Sequence, residues 1–325
     1  MAEKRVTSAD VAREAGVSRA TVSYVLNSTP NQKIAASTRN RILAAAARLG
    51  YAPSAAARAL RTGRSDVVLC LLPDWPISPT IARILEHLTT HLAERDLTLV
   101  THVRAPACRS TSEIWKAITP AAIIAYEQLD DDTLAAIRAA GITATVVLFG
   151  RSGGPLVTAQ ERAGRLQAEH LAAAGHRQIG YAYPEDPRLR VLAEPRLAGV
   201  RAACAELGLP QPDVRAVPLD PAAAADPVRV WHNADYSGIC AFNDEVALAV
   251  LAGAHTSGLA ALGDLAVIGV GDLAVARLTS PALTTVALDT AALADAMTAT
   301  VLAALAGQPA TRSPDSARVI VRASA

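Results

Sequence analysis

Residues 6–27 read VTSADVAREAGVSRATVSYVLN, and this stretch decides how the N-terminal part of the chain folds. A first helix can begin after Thr7 or Ser8, either of which can cap it, and Gly16 supplies the turn that ends it. Ser18 then caps a second helix. The apolar residues of both helices recur at helical spacing and predict one buried side for each: Val11, Ala12, Ala15, Val22, Val25 and Leu26.

A third helix is predicted after Ser37, and it closes at Gly50. Its apolar residues share one helical face: Ile42, Leu43, Ala46 and Leu49. Two short helices joined by a glycine turn are typical of a helix-turn-helix unit, although three short helices equally describe an ordinary small bundle. The second helix favours DNA binding, because it exposes side chains suited to a DNA groove: Arg19, Ala20, Thr21, Ser23 and Tyr24.

Charge is divided unevenly along the chain. The 325 residues include 31 Lys and Arg against 30 Asp and Glu, a formal net charge of +1. Residues 1–64 hold eleven basic and three acidic residues, so they carry +8 and the other 261 residues carry −7. A basic segment on an acidic body predicts a polyanionic partner for that segment, but charge alone does not distinguish DNA from RNA.

The same N-terminal residues resemble those of the lactose-repressor (LacI/GalR) family of transcriptional regulators. The likeness is long and ungapped over residues 6–27, and it continues through GYAPS at 50–54 and the alanine-rich segment that ends at Leu60 and Arg61. Two positions depart from the family pattern. Tyr24 stands where arginine is usual, and Ser54 stands where asparagine is usual.

The resemblance implies that residues 1–53, here called the head, read a pseudo-palindromic operator in double-stranded DNA. Arg19 and Ala20 are expected to set base preference, because arginine pairs bidentately with guanine and alanine favours the thymine methyl group. Phosphate contacts are expected from Arg5, Thr21 and Ser23. The other residues expected at the DNA are Thr7, Ser18, Tyr24, Asn27, Tyr51, Arg58 and Arg61.

Residues 54–64 form the predicted hinge or linker. The resemblance implies that the segment becomes a helix on the operator and that Leu60 wedges into the minor groove, where an inserted apolar side chain opens a bend. Composition alone would describe the same alanine-rich segment as a plain helical linker.

Composition excludes several classes of protein. Hydrophobic residues make up 51% of the chain and charged residues 19%, which excludes a disordered or fibrous protein. No apolar run reaches the roughly 18 residues that a membrane span needs, and the polar start predicts a protein that is not exported. Widely spaced cysteines without a C-x-x-C pair favour buried thiols in a reducing cytoplasm: Cys70, Cys108, Cys204 and Cys240.

Beyond residue 64 the periodicity changes to that of an α/β fold. Val67–Leu72 is a continuous apolar run typical of a buried parallel strand, and an amphipathic helix is predicted from Ile81 to Glu94. Further strand-like runs, with helical stretches between most of them, lie at 97–103, 121–126, 143–149, 178–183, 237–242 and 265–270. The alternation predicts parallel sheets covered by helices on both faces, and the length predicts two lobes.

The resemblance covers this part as well, whose counterpart in the family is a two-lobed, periplasmic-binding-protein-like core that binds an effector. The predicted core is 65–325, with lobe 1 at about 66–157 and 284–306 and lobe 2 at about 158–283 and 307–325. No leucine-heptad helix follows Arg322, so a homodimer is expected rather than a dimer of dimers.

Four residues are candidates for contact with a small-molecule effector between the lobes. Asp74 follows the first strand, at the edge where open α/β sheets place ligands. The resemblance implies ligand contacts for Arg196, Asn243 and Asp272. Two other roles stay open, because Asn243 could cap the following helix and Arg196 could pair with Glu194 or with an acid of the facing lobe.

Two departures from the family pattern bear on the effector. Gly271 stands where the family has an aspartate that accepts hydrogen bonds from two hydroxyls, and Gln160 stands where it often has another aspartate. Glycine cannot replace a carboxylate acceptor, and aromatic residues that could stack on a sugar make up 3% of the chain. Either the effector is no simple sugar, or the protein has none.

Catalytic and metal-binding signals are weak. Residues 150–154 read GRSGG, which matches a nucleophile elbow at Ser152, but glycines and Pro155 follow where the elbow needs a helix. His87 and His91 are spaced as a metal pair on a helix, yet no third ligand is evident, so a solvated helix face is favoured. No cofactor is expected.

These observations predict a cytoplasmic, homodimeric, DNA-binding transcriptional regulator. It is expected to repress a metabolic operon under the control of a small molecule, and to be neither an enzyme nor a membrane-bound protein. Two alternatives stay open: a small-molecule binding or transport module whose basic N-terminal segment is incidental, and an α/β hydrolase that uses Ser152.

Overall fold

The computed structural model describes residues 6–26, 32–51, 65–104, 111–149, 155–259, 263–309 and 317–325. The chain divides into two compact units, at 1–66 and 67–325. This division falls two residues beyond the end of the predicted hinge. Each unit has its own buried apolar core.

The first unit contains three helices, α1 (Ser8–Ala15), α2 (Arg19–Leu26) and α3 (Ala36–Arg48). At the start of α1 a carboxylate oxygen of Asp10 accepts hydrogen bonds from the Thr7 amide at 2.9 Å and from the Thr7 hydroxyl at 2.6 Å. Gly16 ends α1 in the left-handed conformation, and the Ser18 hydroxyl caps α2 by accepting from the Thr21 amide at 3.1 Å. The predicted helix-turn-helix is confirmed. The third helix begins at Ala36, so Ser37 lies in its first turn and does not precede it.

The three helices bury one apolar side each against the others. Arg41 fixes the end of α1 to α3, because its Nε donates to the carbonyl oxygen of Ala15 at 2.8 Å. The buried residues include every apolar position predicted for α1 and two of the three predicted for α2: Val11, Ala12, Ala15, Val22, Val25, Ile42, Ala45 and Ala46. Because these side chains face inward, the opposite side of α2 is left exposed.

The second unit contains two sheets, which correspond to the two predicted lobes. The first is wholly parallel in the order β2-β1-β3-β4 and comprises β1 (Val67–Leu72), β2 (Thr98–Val103), β3 (Ala122–Glu127) and β4 (Ala144–Phe149). Its strands are joined through α4 (Pro79–Ala93), α5 (Thr111–Ile118) and α6 (Asp131–Ala139). Helix α4 begins two residues before the predicted Ile81, since Ser78 caps it and Pro79 occupies its first turn.

The second sheet has six strands in the order β10-β9-β8-β7-β5-β6 and is parallel except for β10. Its strands are β5 (Ile179–Pro184), β6 (Asp213–Val217), β7 (Gly238–Ala241), β8 (Ala266–Val270), β9 (Thr284–Leu288) and β10 (Ala317–Ile320). The helices of this part are α7 (Pro155–Ala173), α8 (Arg190–Glu206), α9 (Pro221–Asn233), α10 (Asp244–Thr256) and α11 (Thr290–Leu305).

The predicted division of the lobes was wrong at β9. Residues 284–288 were assigned to lobe 1, but β9 pairs with β8, with Thr284 opposite Ile268, and therefore belongs to the second sheet. The following helix, α11, packs against α4 beside the first sheet. The chain thus crosses between the lobes after β9, not before it.

Helices α7 and α8 pack backbone against backbone, and this contact positions the functional residues of the second lobe. A Cβ atom added at Gly164 would lie 1.9 Å from the carbonyl oxygen of Arg196, and one at Gly199 would lie 1.9 Å from that of Glu161. Glycine is required at both positions, because any side chain would force the helices apart. The close approach places Arg196 beside Gln160.

Candidate functional site

The exposed side of α2 gathers the residues predicted to read bases. Arg19, Ala20 and Tyr24 are exposed, and Tyr24 retains 39% of its accessible surface. None of the three makes a side-chain hydrogen bond or ion pair with another residue that the structure describes. These three side chains can contact base edges, and they lie on the exposed face of a helix whose other face packs into the apolar core of the head.

The hydroxyl groups predicted at the DNA are partly engaged within the head. The Ser18 and Thr21 hydroxyls lie 2.9 Å apart, and one donates to the other. Since each hydroxyl can donate only once, one hydroxyl hydrogen of this pair is available to a phosphate. Thr7 is exposed, whereas Ser23 and Tyr51 are half-buried. The predicted contacts at Arg5, Asn27, Arg58, Leu60 and Arg61 lie outside the described residues.

A cleft of about 900 Å³, counting the part open to solvent, lies at the carboxyl ends of strands from both sheets of the second unit. Open α/β folds bind ligands at this edge. One wall is the loop after β1 with the start of α4, and the other comes from α7, α8 and the loops after β7 and β8. The lining residues are Pro76, Ile77, Ser78, Pro79, Thr80, Ile81, Ile84, Leu156, Gln160, Leu189, Leu192, Arg196, Phe242, Asn243, Glu245, Val270, Gly271, Leu273 and Leu288.

Arg196 lines the cleft as predicted, but its guanidinium is bonded within the protein. Its side chain is 5% exposed. Nε donates to Oε1 of Gln160 at 3.1 Å, one terminal nitrogen donates to the same oxygen, and the other donates to the carbonyl oxygen of Phe242. The guanidinium also lies 4.7 Å from the centre of the Phe242 ring. Burial lowers the pKa of Arg196 to about 10, which leaves it protonated at neutral pH.

Asn243 also lines the cleft, and it caps α10. Its Oδ1 accepts from the Val246 amide at 2.9 Å, and its Nδ2 donates to the Glu245 carboxylate at 3.2 Å. The next residue, Asp244, is fully buried and accepts from the Leu273 amide at 2.7 Å and from the Thr285 hydroxyl. Burial raises the pKa of Asp244 despite these hydrogen bonds. The Asp244 side chain therefore holds the loop that carries Gly271, whereas the Asn243 side chain holds the first turn of α10.

The other two predicted effector residues, Asp74 and Asp272, are not among the cleft-lining residues. An Asp74 carboxylate oxygen lies 3.6 Å from a terminal nitrogen of Arg188, so the two form an ion pair across the lobes. Asp272 accepts from Arg322 and lies 3.7 Å from Arg277. In place of a carboxylate, the cleft presents Gly271, at a φ of +134° that side chains rarely adopt.

Sequence reasoning did not find the apolar wall of the cleft. Ile77, Leu189 and Leu273 come from three loops or short turns that the chain brings together only through the arrangement of its sheets. Gln160, which departs from the family pattern, is a signal in the sequence that the surroundings of Arg196 differ from those in the family. Its role as the buried acceptor for Arg196 depends on a contact 36 residues along the chain.

The described residues give no support for a catalytic serine or for a metal site. Ser152 lies outside them. His91 faces Asp295, with 3.6 Å between its Nδ1 and a carboxylate oxygen, and its ring centre is 6.4 Å from that of His87. Among the residues with described positions, no group of three or more His, Cys, Asp or Glu side chains is placed to hold a metal ion. No helix in the same set is long and apolar enough to cross a membrane.

Comparison with known families gives two matches. Residues 7–54 match the bacterial regulatory proteins of the lacI family, and residues 168–325 match the periplasmic binding protein-like domain. The chain is 30% identical over 325 residues to the transcriptional regulator MalR of Streptomyces coelicolor, covering 94% of this chain and 92% of MalR. It is 29% identical to catabolite control protein A of Priestia megaterium, covering 85% of each chain.

Solved structures show the same fold. The Lac repressor dimer bound to operator and the anti-inducer ONPF superimposes with a TM-score of 0.76 at 23% identity, covering 99% of both chains. The transcriptional regulator CelR in complex with cellobiose gives a TM-score of 0.65 at 22% identity, covering 99% of this chain and all of CelR. MalR and CelR are named as transcriptional regulators, and the Lac repressor was solved on its operator. The chain therefore belongs to the lacI family of bacterial regulatory proteins and is a DNA-binding transcriptional regulator.

Proposed function

We propose that this chain acts as a homodimer whose two heads bind a pseudo-palindromic operator, and that it represses a metabolic operon under the control of a small molecule held in the cleft. The observation that carries the proposal is the outer face of α2, where Arg19, Ala20 and Tyr24 stand exposed on a packed helix-turn-helix. Because its target is chromosomal DNA, the protein works in the cytoplasm. Enzymatic activity has no part in this function.

The dimensions of α2 suit a DNA groove. An α-helix with its side chains is about 10–12 Å in diameter, and the major groove of B-DNA is about 12 Å wide, so α2 fits into it. Arg19 would pair with guanine, Ala20 would contact a thymine methyl group, and Tyr24 would extend the contact along the groove. Thr21, Ser23 and Arg5 would hold phosphates and fix the orientation of the helix.

The relatives support the rest of the proposal. The Lac repressor structure contains a dimer on its operator, and CelR was solved with cellobiose. A dimer of this chain would present two α2 helices to half-sites one helical turn of DNA apart or a multiple of it. The cleft, at the carboxyl ends of strands in both lobes, would hold the small molecule that changes operator affinity.

The proposal includes the hinge segment at 54–64, with Leu60 as the wedge in the minor groove. The segment is too short to be stable as an isolated helix in water, so it would order on a bent operator. Leu60→Gly is expected to weaken specific binding more than non-specific binding. An unchanged ratio of the two affinities, together with an unchanged bend angle of the operator, would reduce the segment to a tether.

Selection of DNA from a library of random duplexes tests the main function. The purified full chain is expected to enrich a motif with two inverted half-sites, and sedimentation is expected to show two chains on one selected duplex. Footprinting the protein on its genome should then place the motif beside a promoter. Enrichment of no motif, or of a motif without inverted symmetry, would contradict the proposal.

A further inference from the structure

We propose that Asp74 and Arg188 form a latch at the edge of the cleft, and that this ion pair biases the two lobes toward their closed arrangement. The effect of the latch on transcription rests on the proposed function, in which the cleft controls operator affinity. Its effect on the lobes does not depend on that function, because all of the contacts lie within the core.

The latch joins one loop from each lobe. Asp74 follows the end of β1 in lobe 1, whereas Arg188 lies in the short helical turn at Pro187–Leu189, between β5 and α8 in lobe 2. A carboxylate oxygen of Asp74 lies 3.6 Å from a terminal nitrogen of Arg188. Both are close in sequence to residues that line the cleft, Pro76 in lobe 1 and Leu189 in lobe 2. The pair therefore connects the two walls at the edge of the cleft.

The guanidinium of Arg188 is held in place by its own lobe. The Asp186 carboxylate accepts from the Arg188 amide at 2.9 Å, from its Nε at 3.0 Å and from its Nη2 at 2.6 Å. The other terminal nitrogen, Nη1, is the one that faces Asp74. An exposed ion pair normally gains little, since the loss of side-chain entropy offsets the attraction. Because Asp186 already fixes the planar guanidinium, Arg188 loses less of that entropy when the lobes meet.

The charges in this cluster set the strength of the latch. Hydrogen bonding to Asp186 raises the pKa of Arg188, and the charge of Asp74 acts in the same direction. When the lobes separate, Asp186 stays with Arg188, so only the attraction between Asp74 and Arg188 is lost. The side chains of Arg188 and Asp74 are 48% and 46% exposed, and an attraction of this kind changes the ratio of closed to open lobes by at most about fivefold.

The lobes approach each other closely at a second place in the cleft. Gly271 follows β8 in lobe 2, and Thr80 lies in the first turn of α4 in lobe 1. A Cβ atom added at Gly271 would lie 3.3 Å from the Thr80 hydroxyl oxygen, which is tighter than an ordinary contact. The absence of a side chain at 271 therefore leaves room for the approach in which Asp74 also reaches Arg188.

A latch of this strength favours closure without preventing opening. A bias of a few fold leaves the open arrangement populated, so a small molecule can still enter the cleft. A ligand that binds one arrangement more tightly than the other then shifts the balance between them. Loss of the latch is expected to shift the same balance toward the open arrangement.

Neutral substitutions test the latch through the distance between the lobes in the full-length protein. Spin labels on an unnatural amino acid at the exposed positions of Asp131 and Leu219, which follow β3 and β6, report that distance by double electron–electron resonance. Labelled chain is diluted with an excess of unlabelled chain, so that each assembly carries one labelled copy. Asp74→Asn and Arg188→Gln are each expected to lower the ratio of short to long distances about two- to fivefold.

The double variant Asp74→Asn/Arg188→Gln shows whether the two residues act on each other. Its ratio should equal that of Asp74→Asn alone, because Arg188 acts on the lobes only through Asp74. The matched control is Glu94→Gln, which removes an exposed ion pair with Arg95 at 3.4 Å inside lobe 1 and should leave the ratio unchanged. A further fall in the double variant, an equal shift in the control, or a distance distribution that no substitution changes would overturn the latch.

Salt gives a second reading of the same distances. Added salt should lower the ratio of short to long distances in wild type and leave it unchanged in the double variant, because screening weakens the charged pair alone. An equal response of both proteins to salt would also overturn the latch.

Operator binding separates the latch from the function on which its regulatory effect rests. If Asp74→Asn and Arg188→Gln change the distances but not the affinity for the selected operator, the latch stands and the control of the operator by the cleft fails. If the distances stay the same in every variant while the chain still selects inverted half-sites, the latch fails and the DNA-binding function stands.

Discussion

The outer face of α2 and the wall of the cleft each carry an arginine, and the two arginines differ in their exposure and in their hydrogen bonds. Arg19 on α2 is exposed and has no hydrogen bond or ion pair among the described residues, whereas Arg196 on α8 is 5% exposed and donates to two acceptors. A similar difference separates exposed Tyr24 from Asn243, which caps a helix. On α2 these side chains are available to a partner, whereas Arg196 and Asn243 also hold together parts of the core.

This difference indicates what kind of partner each region suits. An exposed arginine such as Arg19, on a segment with a net charge of +8, suits a polyanion, and binding of that kind weakens with salt. An uncharged small molecule in the cleft would displace no counterions, so its binding would be little affected by salt. An experiment in which the two regions respond alike would contradict this difference between them.

The largest effect is expected from salt concentration, which should change DNA binding by the basic head. If each dimer neutralises six to ten phosphates, raising salt from about 50 to about 200 mM should lower operator affinity by about three to five orders of magnitude. Fluorescence anisotropy of a labelled operator across the salt series measures this loss of affinity.

A fragment of residues 67–325 serves as the control for this experiment, because those residues form a compact unit without the basic segment. It should show no operator binding at any salt concentration. Salt-insensitive DNA binding by the fragment would contradict the assignment of DNA binding to the head.

The next largest effect is expected at Arg196. Replacement by methionine leaves the Gln160 oxygen and the Phe242 carbonyl without donors, and each unsatisfied buried acceptor costs about 1–3 kcal/mol, so Arg196→Met should lower the free energy of unfolding of the core by on the order of 3 kcal/mol. Urea denaturation measures it. Arg190→Met, on the same helix but 76% exposed, should cost below about 1 kcal/mol. Equal costs would mean that the Arg196 contacts contribute little.

The regions also differ in how far their structure could be predicted from sequence. The caps, the glycine turn and the buried face of α1 and α2 depend on residues within four positions of each other, so residues 6–27 predicted them correctly. The continuous apolar strands β1, β3 and β4 were found for a similar reason, since burial on both faces leaves a local signature.

What could not be predicted depends on contacts distant along the chain. Strand β9 joined the second sheet through pairing with β8 and β10, and β6, at the sheet edge, alternates and carries no continuous apolar run. The partners of Arg196 lie 36 and 46 residues away, and they meet it only because Gly164 and Gly199 let α7 and α8 approach closely. Arg196 and Asn243, which family likeness suggested for the ligand site, both line the cleft. The cap left open for Asn243 is observed, whereas Arg196 bonds to Gln160 and Phe242 and not to the acids suggested as its partners.

Arg19→Ala tests the head side of the comparison at a single base contact. Loss of a bidentate pair with guanine should cost about 1–3 kcal/mol on the selected operator and relax preference at one base pair in each half-site. The control is Arg13→Ala, which removes the same charge from α1 at a side chain that is 79% exposed. It should weaken operator and random DNA equally. An equal loss on both DNAs with Arg19→Ala would reassign Arg19 to a phosphate.

The smallest effect is expected at Asn243, where a substitution distinguishes a helix cap from a contact with the ligand. Asn243→Ala removes the acceptor for the Val246 amide and should lower the free energy of unfolding by about 1 kcal/mol. Asn243→Ser restores a capping oxygen without the amide, so it should regain wild-type stability in urea denaturation. If Asn243 serves as a cap alone, the serine variant also responds like wild type to the small molecule that changes operator affinity. Wild-type stability together with a need for about tenfold more of that small molecule would show that the Asn243 amide contacts the ligand.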